Sequence, residues 1–181
     1  MSALFWGFFF VYINFNLIVN GHVLNVLPAF VGYALIMKSC REMEGESGLF
    51  SSIRPFALGM AVYTGILWLG DLLAVTGQGS WLATLLSLVS LAVSLYVSWA
   101  VVQAIRDVEA RRGAELNSDS LKTAWTVLAV AQAAAWVLGL LGSLMALMGV
   151  IAGLVGIVWF LAALWRSRKY YEALPPLGGA D

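Results

Sequence analysis

The chain alternates between long apolar stretches and short segments that collect nearly all the charge. The stretches cover about residues 3–20, 23–37, 56–76, 81–103, 122–141 and 146–165. Most approach the ~20 residues needed to cross a ~30 Å hydrocarbon layer. They predict an all-α integral membrane protein, a six-helix transmembrane bundle arranged as three hairpins. A transmembrane barrel needs ~10-residue alternating segments, and runs such as Leu82–Leu86 and Val150–Leu164 do not alternate. One domain over 1–172 is expected, followed by a flexible cytoplasmic tail at 173–181, where prolines and glycines carry no apolar period. No sequence repeat relates the hairpins.

Composition supports this class. Hydrophobic residues make up 61% of the 181 and charged residues 11%, against roughly 25% charged in soluble domains. The formal net charge is zero, so nothing points to nucleic acid as a partner. Cys40 is the single cysteine and His22 the single histidine, so no internal disulfide forms, no metal set is present, and no cofactor is implied. The first apolar run lacks a basic leader and a small-residue cleavage motif, and is expected to be a retained helix.

The ten Lys and Arg side chains fall in three segments: the 38–55 loop, the 104–122 loop and the C-terminal tail. The turns near 20–22, 77–80 and 142–145 hold none. Because basic residues are retained on the cytoplasmic side, both termini are expected there. Residues 23–37 are short and contain Pro28. They form either a kinked span or a re-entrant segment, and the second choice would move the N-terminus outside.

Local signals refine the borders. Trp6, Trp125 and Trp165 lie near proposed inner ends and Trp81 begins an outer one. Pro55 is expected in the first helical turn of the third span, and Asp119 or Ser120 as N-cap of the fifth. Residues Gln103–Leu116 should continue the fourth helix beyond the membrane, with Asp107 and Arg111 paired at i,i+4. That end is either a solvated helix or a docking surface for a partner or anionic lipid. Thr84, Ser87, Ser94 and Ser98 share one face of the fourth span, and Ala129 and Ala133 are small residues of the fifth. Gly149, Gly153 and Gly156 of the sixth predict close helix packing, within the chain or in a homo-oligomer or partner membrane protein.

Candidate chemistry gathers in two places. Asp71 is the one formally charged side chain inside a span, roughly 22 Å from Phe56 along the third helix. Intramembrane acids usually face a bundle interior and mark a site. Tyr12, Asn16 and Asn20 recur at i, i+4 and i+8, one helical stripe climbing towards the outer end. Asn14 points elsewhere, and His22 and Asn25 follow in the first outer turn. Gln132, near the middle of the fifth span, is placed to face the same interior. Together these define an outward-facing ligand site for a small solute or cation, in a binding or transport component. The alternatives are an intramembrane enzyme with His22 as general base oriented by Asp71, and a scaffold that recruits another membrane protein. No HExxH, GxSxG or Walker loop is present, so no catalytic residue is assigned.

On "LPAFVGYALI" (27–36), "RPFALGMAVYTGILWLGDLL" (54–73) and the asparagines before them, the chain resembles a family of small multi-spanning proteins of Gram-positive bacteria. The resemblance covers mainly the first 75 residues. It implies a bacterial cytoplasmic membrane and no assigned activity. In that family an acid often follows the proline, where this chain has Ala29, which leaves Asp71 as the remaining acid. In length and span count the chain is also similar to substrate-binding subunits of bacterial vitamin transporters, an analogy at the level of fold alone.

Overall fold

A computed structural model describes residues 1–13, 16–19, 22–25, 28–72 and 81–175, with the side chains of 16–19, 22–25, 71, 72, 82, 83, 140 and 141 left aside. Its elements run α1 (Ser2–Tyr12), β1 (Asn16–Val19), β2 (His22–Asn25), α2 (Ala29–Glu42), α3 (Leu49–Leu72), α4 (Trp81–Arg112), α5 (Ser118–Leu141) and α6 (Ser143–Glu172). Two compact units form, one over Ser2–Ala104 and a second beginning at Ile105.

In the first unit, α1 buries Leu4, Gly7, Phe8 and Val11, and α2 buries Gly32, Tyr33, Ile36, Ser39 and Cys40. Both sets follow the three-to-four-residue spacing of one helix face. The faces meet at two glycines. A methyl group added at Gly7 would lie 2.6 Å from Ile36 Cγ1 and 2.8 Å from the Gly32 carbonyl oxygen. One added at Gly32 would lie 2.6 Å from the Gly7 carbonyl and 2.8 Å from Val11 Cγ2. These pairings run antiparallel, so the start of α1 lies beside the end of α2. A short turn at residues 43–48 then leads into α3, which packs on α2.

The N-terminal segment departs from expectation. Helix α1 stops at Tyr12, and an antiparallel hairpin follows in which Asn16 pairs with Asn25 and Val19 with His22. The helical stripe Tyr12–Asn16–Asn20 is therefore not formed, because Asn16 lies on a strand; Asn14 and Asn20 lie outside the described residues. Helix α2 begins only after Pro28, whose fixed φ and missing N–H suit the position before a first turn. Helix α3 starts seven residues earlier than expected, which puts Pro55 inside it rather than in its first turn.

In the second unit, α5 and α6 form a tight hairpin around Gly142, whose φ of 132° favours glycine. The α6 glycines face α5 within the chain. A methyl group at Gly149 would lie 2.7 Å from Ala135 Cα, and one at Gly156 would lie 3.1 Å from Leu128 Cα. Gly153 is looser, with Gln132 Oε1 at 3.9 Å. The small residues used by α5 are Ala131 and Ala135; Ala133 is exposed.

Helix α4 continues past the apolar run as expected but ends at Arg112, four residues short of Leu116, and Arg111 Nε lies 2.9 Å from Asp107 Oδ2. It stops at Gly113, where φ is +60°. The cap of α5 is not local. Asn117 is the N-cap in a left-handed conformation with no side-chain bond, and neither Asp119 nor Ser120 takes that place. Glu109 Oε2 of α4 instead accepts from the backbone N–H groups of Leu116 (2.9 Å) and Ser118 (3.1 Å). An anionic acceptor at the start of a helix answers its unpaired donors and its dipole.

Among the described residues four helices are long and apolar enough to cross a membrane: Leu49–Gly70, Thr84–Arg112, Ser118–Gly139 and Ser143–Glu172. Their outer faces are oily. Val62 and Ile66 of α3 and Leu144 and Val158 of α6 are each more than half exposed, an arrangement costly in water and favourable in lipid. The chain is accordingly an all-α, multi-pass membrane protein in contact with the bilayer.

Candidate functional site

The first unit brings some of the expected polar residues to one end. Phe30, in the first turn of α2, stacks edge-on against Trp68 of α3 with ring centroids 5.7 Å apart, and lies beside Gly65. The strands precede Phe30 in the chain, and β2 packs against α3. The Asn16–Asn25 rung and His22 thus belong to the end of the unit where α3 closes. Asp71 is in the last turn of α3, three residues beyond Trp68. This placement is one of backbone: the side chains of Asn16, His22, Asn25 and Asp71 lie outside the described set.

Tyr12 is placed in full. Its ring stacks on Phe8 one turn earlier, at 6.0 Å and 13° between planes. Its hydroxyl interacts with those of Ser98 and Ser94 on α4. Tyr33 of α2, 2% exposed, reaches Ser94 as well. Ser98 also donates to the Leu95 carbonyl at 2.9 Å. Four hydroxyl side chains from three helices therefore form a polar layer inside the core of this unit.

Nothing in the sequence marks Tyr33, and Ser94 and Ser98 read there as packing residues alone. Their i,i+4 spacing was the available signal. Only this half of the α4 stripe is buried. Thr84 and Ser87 are exposed, and Ser87 Oγ donates to the Thr84 carbonyl at 2.8 Å. Gln132 belongs to the second unit, on the α5–α6 hairpin, where its Oε1 lies beside Gly153.

The second unit has its own polar cleft of about 350 Å³ near the α4–α5 turn, lined in part by Arg106, Glu109, Glu115 and Asp119. Glu109 already serves the cap of α5. Among the described residues no group of three or more His, Cys, Asp or Glu side chains is arranged to hold a metal ion.

Comparison with family models, curated proteins and solved structures found no match. The resemblance drawn from residues 27–36 and 54–73 therefore assigns no family. What stands is a helical protein with four candidate membrane spans.

Proposed function

We propose that the chain is a membrane-embedded binding or transport component for a small cationic solute, entered from the side opposite the charged loops. The observation that carries this reading is the docking of the β1–β2 hairpin on α3, at the end where Asp71 lies. A two-stranded hairpin leaves backbone N–H and C=O groups unpaired along its edges, and such edges do not face lipid. Water or protein has to meet them, so this end suits an aqueous recess.

Asp71 fits such a recess. An acid in the last turn of a helix faces the negative end of the dipole and gains nothing from it. Its presence there is better explained by a positively charged partner. The asparagines of the rung offer both donors and acceptors for orienting a ligand, and the Tyr12–Tyr33–Ser94–Ser98 layer would form a polar floor.

Six crossings are retained with a change of material. Helix α1 spans ~16 Å and a four-residue strand adds ~13 Å, together close to the ~30 Å hydrocarbon thickness. Helix α1 with β1, and β2 with α2, would then be composite crossings, with both ends of the chain on the cytoplasmic side.

Native mass spectrometry of protein extracted from its own membranes in mild detergent tests the reading. The wild type is expected to carry a small organic cation that Asp71→Asn lacks, with unchanged helical circular dichroism. A wild type without any adduct, or an adduct kept by the variant, overturns it.

A further inference from the structure

A groove runs between α3 and α4 on the outer face of the first unit, with a volume of about 330 Å³ and an almost wholly apolar lining. Pro55, Gly59 and Tyr63 form one wall; Leu86, Ser90 and Val93 form the other. We propose that it holds one acyl chain of a phospholipid from the leaflet beside the charged loops, with the phosphate near Arg54. This inference rests on α3 and α4 crossing a membrane and is independent of the solute site.

Dimensions select the occupant. Eight residues separate Pro55 from Tyr63, a length of ~12 Å, close to half of a ~30 Å hydrocarbon layer. A volume of about 330 Å³ over that length leaves a cross-section of roughly 28 Å². That admits a single hydrocarbon chain, whereas a helix is ~10 Å across. Among the described residues the groove is lined no further than Tyr63 and Leu86. At its inner end the Tyr63 hydroxyl donates to the Leu86 carbonyl at 3.3 Å and bridges the two walls. A packed partner helix would need the seam to continue.

The open end has the matching chemistry. Phe56 and Tyr96 meet edge-on there, with centroids 4.8 Å apart. Arg54 precedes Pro55 and places one guanidinium N–H against Glu44 Oε2 at 3.1 Å. The guanidinium has five N–H donors in all, suited to a phosphate at the membrane boundary. Gly59 keeps the floor open, since a methyl group built there meets nothing within 4 Å.

That free space provides the test. Gly59→Leu fills the groove from its floor, starting from a Cβ that meets nothing within 4 Å, and Ser90→Leu fills it from the other wall. Each is delipidated in detergent, titrated with dioleoylphosphatidylglycerol and followed by native mass spectrometry. The wild type should bind one lipid per chain, and either variant should bind it at least about tenfold more weakly with an unchanged thermal midpoint. Gly139→Leu, at another glycine with nothing within 4 Å, should bind as the wild type does. Lipid binding by Gly59→Leu and Ser90→Leu equal to that of the wild type overturns the proposal. So does a two-chain mass that either variant converts to one, since a second copy would then occupy the groove.

Discussion

Gly7 of α1 and Gly32 of α2 meet backbone to backbone, each placed so that an added methyl group would strike the other's carbonyl oxygen at 2.6–2.8 Å. Backbone atoms cannot rotate away as a side-chain tip can. Gly7→Ala and Gly32→Ala should therefore each destabilise the fold by about 1–3 kcal/mol, the usual range for overpacking. Thermal unfolding in detergent reads this directly. Gly139→Ala, where space is open, should hold or raise the midpoint, because alanine is the better helix former.

The α5–α6 seam gives a contrast within one helix. Gly149→Leu should lower the thermal midpoint strongly, since its added carbon meets Ala135 Cα at 2.7 Å. Gly153→Leu should lower it less. Neither should change the mass of the assembly, because the contact lies inside one chain. A mass that falls on substitution at Gly149 would assign the seam to an oligomer instead.

How much of this was legible in the sequence differs from one end to the other. Helices α3 to α6 were readable because their apolar runs are long and closed by charge, and the Asp107–Arg111 pair followed from spacing alone. The first segment misled. "NLIV" reads as the end of the first helical span and "HVLN" as the turn and start of the second, and short apolar runs do not distinguish a buried strand from a helix. The Asn20–Gly21 dipeptide between them in the sequence is the strongest short hairpin signal, and it competes with the helical spacing of Tyr12, Asn16 and Asn20. The cap of α5 was unreadable for another reason: Glu109 lies nine residues before Ser118, and only the turn at Gly113 and Asn117 brings it back.

That long-range cap has a measurable consequence. Glu109→Gln keeps the shape but weakens the acceptor for the Leu116 and Ser118 N–H groups. A loss of roughly 0.5–2 kcal/mol is expected, as for a missing N-cap. Faster amide hydrogen exchange in the first turn of α5 should accompany it, with α3 unaffected.

Cys40, fully buried at the charged end of α2, supplies a pH test. Burial pushes its thiol up to about 12; the nearby Arg54 opposes this and Glu44 adds to it. A raised value keeps the thiol protonated, and the thiolate is the reactive form. Maleimide labelling of the folded protein should stay slow from pH 7 to pH 9, and become fast on unfolding in denaturant. Rapid labelling of the folded protein near pH 8 would mean that the α1–α2 face opens.

The site and the groove both rest on four long helices crossing the membrane with the charged turns on one side. Fusions of a reporter active only in the cytoplasm, at Met1, residue 46, residue 114 and Asp181, measure this most directly. All four should be active, while fusions at Gly79 and Ser143 should be silent. Silence at Met1 alone would remove the composite N-terminal crossings and leave the rest. Silence at residue 114, or activity at Gly79, would contradict the account.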